Sequence, residues 1–395
     1  MAMPLNLFED LRKAVFLDRP NRFIARCRLG RRTVTAHMPN PGRMWELLLP
    51  DAALYLARRS PGTGCSTEYS VVGVERDGVP VLLHTGRTND VAAYLFRQQR
   101  IPGLESYRLV QQEYTLGRSR FDLLLEGPAG RMVVEVKSCT LFGHGVAMFP
   151  DAVTERGRRH LLHLAELSRQ GLKTGVLFIV HCPEGRYFLP DYHTDLEFSR
   201  AFLEVRDAVA LRAVAVGWDQ GLRLREDCVR ELSVPYDLIA REAVDAGVYM
   251  VILHVDAGCD IDIGSLGTRH FNKGYYVYVG SARKNLQARL DRHRRLRKNL
   301  FWHIDYLRCR VSFCAAVPVR GTLVSECGLA AAVAEVSAWQ VPGFGCSDCG
   351  CPSHLFAMNE NPLKDRAFID MLLRLRMGSL VPHLPEAAAA EHMIF

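Results

Sequence analysis

The chain has 395 residues, too many for one ordinary core, and its 48% apolar and 24% charged composition is that of a soluble globular protein of two or three domains. No apolar run approaches the roughly 18 residues of a membrane helix, and Glu9 and Asp10 interrupt the stretch a secretory signal would need, so a helical spanning protein is excluded. The twelve cysteines then read as reduced thiols or metal ligands, and the formal charge of +7 calls for an account of where it sits; a cytoplasmic setting without a membrane partner is expected.

Residues 1–85 read as short strands. RFIARCRLG and RTVTAHM (22–30 and 32–38) alternate apolar and polar side chains about Gly30-Arg31. ALYLARR, YSVVGVER and VPVLLHT follow, with Asp77-Gly78 as a hairpin signal. Five short strands with a brief helical segment near MWELLL suggest an OB-like β-barrel. Arg22, Arg26 and Arg28 recur at even spacing, as if on one face, with Phe23, Arg43 and Trp45 nearby. Basic and stacking side chains on a small barrel fit single-stranded nucleic acid, although strands with polar outer faces look the same.

Residues 86–235 alternate helix and strand and predict a central α/β sandwich. The expected order is a helix over about 88–98, three strands, a helix from Ala152 to Ser168, the buried strand TGVLFIV, a helix over 195–209 and the strand AVAVGW. Residues 231–247 show no core pattern and read as a linker. Residues 247–357 open with the strands GVYMVILHV and GYYVYVGSA, followed by a basic helix and the helix ECGLAAAVAEVSAW. Residues 281–310 hold ten Lys or Arg against Asp291 and Asp305, a patch suited to a polyanion or to a solvated helix face. Residues 358–395 read as a helical tail, amphipathic over 364–378.

The sharpest inference comes from strand register. RLVQQEYTL and SRFDLLLE flank Gly117-Arg118, and SRFDLLLE and RMVVEVK flank Gly127-Pro128-Ala129-Gly130. Tight turns at both places set Glu113 opposite Asp122 and Asp122 opposite Glu135, with Lys137 on the same face by the period of two. Like charges opposed twice across a sheet destabilise it unless something compensates. A divalent cation is the simplest source, and oxygen donors point to Mg²⁺ or Mn²⁺. Lys137 beside such a site suits metal-assisted phosphodiester hydrolysis. The plain alternative is an exposed strand face with its charges kept apart by a register slip.

The spacing Asp122…Glu135-Val136-Lys137 looks like the PD-(D/E)XK nuclease signature. With NRFIARC, AHMPNPGRMWELL, GRSRFDLLLE, VVEVKSCTL, FPDAVTERGRRHLLHL and AVAVGW, residues 5–225 resemble the sugar fermentation stimulation protein A family. The resemblance implies an OB-like domain, a PD-(D/E)XK-type nuclease domain, and DNA binding with a part in regulating maltose metabolism. It makes Asp122, Glu135 and Lys137 the metal and catalytic set, with Glu113 ahead of them. In FPDAVTERG, Asp151 is expected to cap the helix from Ala152. Arg156 and His160 share a helix face, as phosphate contacts or as plain surface.

Gly247-Val248-Tyr249 and Tyr278-Val279-Gly280 look like a GIY-YIG nuclease core, and residues 247–357 resemble an uncharacterised GIY-YIG-like family. By that resemblance Tyr249 and Tyr278 sit at the phosphate, one as general base or water-positioner. Arg289 neutralises the transition state, Glu326 holds a Mg²⁺ ion, and His293 shares the helix face of Arg289. Arg292 and Arg295 add basic contacts. The half-motifs stand 29 residues apart, with IDIGSLGTRHFNKG extending the hairpin or covering the cleft, so an inactive DNA-binding remnant is the alternative. Cys346, Cys349, Cys351 and His354 crowd one loop, and Cys327 follows Glu326. Cys327, Cys349, Cys351 and His354 are expected either as a Zn²⁺ set or as free thiols. The whole chain is thus expected to be a Mg²⁺-dependent nuclease acting on DNA, with RNA as a second candidate substrate. The rival is a non-enzymatic DNA-binding regulator of sugar metabolism.

Overall fold

The computed structural model describes residues 5–59, 67–117, 119–128 and 130–385. Two units separate at residue 236/237.

In the first unit, β1 (Arg12–Asn21), β2 (Ile24–Leu29), β3 (Arg32–His37), β4 (Ala53–Arg58) and β5 (Tyr69–Arg76) form a sheet in the order β3-β2-β1-β4-β5. Pairing of β3 with β5 closes it into a five-stranded barrel whose β1 is not among the five strands expected, while the last of those, β6 (Val79–Leu82), extends the β5 edge. Ala25 and Cys27 point into the barrel core with Phe16, Leu54 and Val71, while Arg26 and Arg28 face out. Asp77 and Gly78 both take positive φ (51° and 80°), as a two-residue hairpin turn demands. The segment near MWELLL is a run of turns rather than a helix.

The barrel leads to α1 (Thr88–Arg97), β7 (Arg108–Leu116), β8 (Ser119–Gly127), β9 (Gly130–Cys139), β10 (Leu141–Gly143), β11 (Val146–Phe149), α2 (Glu155–Arg169), β12 (Lys173–Val180), β13 (Tyr187–Pro190), α3 (Leu196–Glu204), β14 (Ala210–Trp218) and β15 (Leu224–Glu231). The central sheet runs β15-β14-β12-β9-β8-β7, with β9, β12 and β14 parallel. Val134 and Val136 share one face with Leu177 and Ile179, covered by Val91, Ala92, Leu95 and Phe96 of α1. Phe178 stands on the other face, against Phe202 of α3 and Phe149. Alternation along β9 therefore gives the valines to α1 and leaves Glu135 and Lys137 on the side of α2.

The second unit begins within α4 (Tyr236–Glu242), in the stretch expected as a linker. Leu238 and Ile239 are buried, and the Glu242 carboxylate accepts from the Thr322 N–H at 2.7 Å. Two buried apolar residues are too few for a readable period. The unit continues with β16 (Gly247–Val255), β17 (Cys259–Asp262), β18 (Thr268–Phe271), β19 (Gly274–Ala282), α5 (Leu286–Arg294), α6 (His303–Arg308), β20 (Ser312–Arg320), α7 (Glu326–Val336), β21 (Trp339–Gln340), β22 (Leu355–Met358) and α8 (Arg366–Arg376). Its sheet is antiparallel in the order β20-β16-β19-β22-β21, and the insert between the two tyrosine strands folds as the β17–β18 hairpin. Helix α8 is no separate tail: it buries Phe368, Ile369 and Leu372, and the Arg376 guanidinium donates to the Pro318 carbonyl at 2.7 Å. No helix among the described residues is long and apolar enough to cross a membrane.

Candidate active site

The register expected from the two hairpins is observed. Gln112 pairs with Leu123 and Tyr114 with Phe121, while Leu123 pairs with Val134, which places Asp122 between Glu113 and Glu135. The three side chains nevertheless do not form a row. Glu113 takes φ of 56°, which turns its side chain away, and its exposed carboxylate lies 2.5 Å from Arg120 Nη2. Glu113 is thus not brought into the group. A left-handed strand residue has no counterpart in a period-two pattern.

Asp122 and Glu135 do approach each other. Asp122 accepts from the Val136 N–H at 2.7 Å and from the Asn89 side-chain amide at 2.8 Å. Glu135 is 7% exposed, accepts from Lys137 Nζ at 2.6 Å and lies 2.7 Å from His160 Nδ1. Burial pushes the Asp122 carboxyl up, and the Glu135 charge adds to this. Burial acts on Glu135 in the same direction, but the hydrogen bond with His160 and the Lys137 ammonium outweigh it and hold the carboxyl below its ordinary value. Two neighbouring carboxyls are thereby driven apart in acidity.

A cleft of about 500 Å³ opens over Lys137, lined also by Arg22, Asn89, Asp151, Thr154 and Arg156. Arg22 reaches it because it lies in the turn between β1 and β2, off the strand face that carries Arg26 and Arg28. The three arginines therefore do not share one face. Arg26 is held by Asp18, and Arg28 is exposed. The Arg43 guanidinium stacks on the Trp45 ring at 5.1 Å.

Asp151 does not cap α2. Thr154 does, accepting from the Gly157 N–H at 3.1 Å. Asp151 instead accepts the Met44 N–H at 3.3 Å, and a Cβ at Gly42 would meet its carboxylate at 2.1 Å. The PNPGRMW segment thus holds a docking surface for the FPDA segment. Arg156 Nε donates to His160 Nε2 at 3.4 Å, so His160 contacts both Arg156 and Glu135. Sequence reasoning missed Asn89, whose one signal is a polar side chain at the opening of α1.

In the second unit Tyr249 and Tyr278 lie on neighbouring strands with ring centroids 6.5 Å apart. The Tyr249 hydroxyl is 2.8 Å from Nε2 of His293, which is fully buried. Burial pushes both phenols well up. Burial also lowers His293, to about 3, and leaves it neutral. Arg289 and Arg292 stack on the Trp302 ring at 4.6 and 4.3 Å. Arg292 is committed to Asp305 by two bonds of 2.9 and 2.8 Å and is not a free phosphate contact, whereas Arg295 is exposed. Glu326 accepts from the Ser281 hydroxyl and lies 3.2 Å from His354 Nδ1. Cys327, Cys349, Cys351 and His354 come together, their ligand atoms all within 4.8 Å of one another.

Comparison with known proteins follows this division. Residues 17–83 match the SfsA N-terminal OB domain, 86–221 the sugar fermentation stimulation protein RE domain, and 248–377 the domain of unknown function DUF123. A sugar fermentation stimulation protein homolog of Methanothermobacter thermautotrophicus is 37% identical over 202 residues, covering 51% of this chain and 84% of that one. The homolog of Pyrobaculum arsenaticum is 38% identical over 224 residues, covering 56% and 94%. The structure of Pyrococcus furiosus SfsA in complex with Ca²⁺ superposes with a TM-score of 0.53 at 29% identity, over 59% of this chain and 99% of that one. With these matches spanning the barrel and the carboxylate-bearing sheet, the chain belongs to the sugar fermentation stimulation protein family.

Proposed function

We propose that residues 1–236 form a divalent-metal-dependent nuclease acting on DNA, of the PD-(D/E)XK kind. The observation that carries the reading is that Asp122 and Glu135, on adjacent strands, feel each other's charge next to Lys137, which itself lines a cleft with Arg22 and Arg156. A buried carboxyl and a half-buried one that repel each other fit a cation, and their oxygen donors suit a hard ion such as Mg²⁺ or Mn²⁺. The Ca²⁺ of the Pyrococcus furiosus relative, a hard ion of the same oxygen preference, supports this. Such an ion, when bound, neutralises phosphate charge and acidifies a water.

The chain's own residues supply the rest. Asn89 and the Val136 N–H fix the Asp122 carboxylate, and His160 holds Glu135 anionic and oriented. Lys137 brings an ammonium beside Glu135 to the cleft, where it can stabilise charge growing on a phosphate. Arg22 and Arg156 bind flanking phosphates. For residues 237–383 we assign DNA contact through exposed Arg295 and its basic neighbours, without turnover.

Cleavage of single- and double-stranded DNA with and without Mg²⁺ or Mn²⁺ tests the reading. Asp122→Ala and Glu135→Ala should each lower the metal-dependent rate at least ~100-fold, the scale of losing one electrostatic group at a reacting centre, with circular dichroism unchanged. Wild-type DNA binding with no cleavage under any metal would establish the non-enzymatic regulator instead.

A further inference from the structure

Four side chains that the nuclease reading leaves unused converge in residues 237–383. We propose that this unit holds a structural Zn²⁺ bound by the Sγ atoms of Cys327, Cys349 and Cys351 and by His354 Nε2. Glu326 is then the outer-sphere partner of that ion and not a ligand of a catalytic Mg²⁺.

Zinc–sulfur bonds of about 2.3 Å and zinc–nitrogen bonds of about 2.0 Å give a tetrahedron with edges of roughly 3.5–3.8 Å. The four donor atoms already lie within 4.8 Å of one another, so side-chain movements of about an ångström close the site. The donors come from the first turn of α7 and from the loop leading into β22. Gly343 and Gly345 both take φ of 72°, a backbone that side chains rarely adopt, and this folds the loop back on itself. The Gly343 N–H donates to the Pro352 carbonyl at 2.9 Å, and the His354 N–H to the Phe344 carbonyl at 2.8 Å.

The imidazole is placed as a zinc ligand's would be. His354 is 1% exposed, with Nε2 3.5 Å from Cys349 Sγ and Nδ1 3.2 Å from Glu326 Oε1. A carboxylate at the far nitrogen is how protein sites fix the tautomer and rotation of a metal-binding histidine. The other Glu326 oxygen accepts from Ser281, which anchors the carboxylate to the end of β19.

Packing thiols behave differently here. Cys27 and Cys139 are buried at 0% and 1% exposure, whereas Cys327 is exposed and Cys349 and Cys351 are half-buried in a polar loop. Such thiols gain little by burial and much by coordination. The bound ion replaces one proton on each thiol, so three thiolates, a neutral imidazole and Zn²⁺ sum to a charge of −1. Its place has a consequence for the tyrosine pair. A Cβ on Gly345 would meet the Tyr278 ring at 2.9 Å, so the loop presses on that ring, and zinc pins it to α7.

The full chain, purified with reductant and dialysed against metal-free buffer, should carry about one zinc by elemental analysis. Replacement by Co²⁺ should give thiolate charge-transfer bands and strong tetrahedral d–d bands, both lost in Cys349→Ser and Cys351→Ser. Glu326→Gln should keep the stoichiometry yet weaken zinc about 10- to 100-fold in chelator competition. The wild-type zinc content and cobalt spectrum decide the site even where a cysteine variant fails to fold. Zinc-free protein with reduced thiols, an octahedral cobalt spectrum, or a disulfide between Cys349 and Cys351 in the reduced preparation would overturn the site. Unchanged affinity in Glu326→Gln would overturn the role of Glu326.

Discussion

Glu46 shows what a single buried charge costs this chain. It lies in the core side of the barrel's MWELLL segment at 7% exposure, and its Oε1 has no hydrogen-bond partner among the described residues. Burial, helped by the nearby Asp151 charge, pushes its carboxyl up to about 7 from 4.5. A raised carboxyl favours the fold while protonated, so its ionisation erodes stability as pH rises from about 4.5 to 7, with no further loss above. Glu46→Gln should therefore be more stable than the wild type at pH 8, by an amount on the order of 3 kcal/mol, with the gap closing towards pH 4.5. Urea unfolding across that range checks both the sign and the window. At this scale the sequence was readable where a side chain follows the backbone period. Asp122, Glu135 and Lys137 were placed by two tight turns and an alternation of two. Glu113 escaped because one positive φ breaks the period, and Asn89 because a lone amide at a helix start carries no pattern.

Helices α5 and α6 are joined through one carboxylate. Asp305, fully buried, accepts from Arg292 at 2.9 and 2.8 Å and from the Phe301 and Trp302 N–H groups, and lies 2.8 Å from Lys298 Nζ. Burial opposes its charge, but Arg292, Lys298 and the two backbone donors outweigh that and hold its carboxyl well below the ordinary carboxylate range. The stability this gives is full above the unfolded value near 3.8 and is lost as pH falls through the lower folded value. Asp305→Ala strands two cations and should cost about 3–5 kcal/mol at neutral pH, read by thermal or urea unfolding; a loss under 1 kcal/mol would contradict this account. The same contacts explain why the basic count over 281–310 overstated the free patch. Arg292 and Lys298 are neutralised internally, and Arg308 donates to the Val311 and Arg294 carbonyls. Linear charge counting sees the residues but not their partners. The longer strands flanked by turn residues were legible from alternation, while β1, β15 and β20 were not expected. Helix α4 was not, and the cap of α2 went to Thr154 because Asp151 is drawn to Gly42 and Met44.

Across the whole chain, sequence and structure agree best where local geometry propagates through a sheet. Strands β2 to β5 of the barrel, the β7–β8–β9 hairpins and the two tyrosine strands follow from strand patterns and turn residues, whereas β1, β20, β21 and β22 do not. Where chain segments far apart in sequence meet, as Gly42 meets Asp151 and Cys327 meets Cys349, composition only suggested partners and the fold supplied the distances. In the first unit, Asp122 and Glu135 are proposed to share a cation. Titration of Mn²⁺ into the full chain, with Zn²⁺ already supplied and bound ion followed by its electron paramagnetic resonance signal, tests it most directly. A saturable site is expected that Mg²⁺ competes for and that both Asp122→Ala and Glu135→Ala abolish while Glu113→Ala leaves it intact. Equal Mn²⁺ binding by the wild type and by both of those first two variants would contradict it.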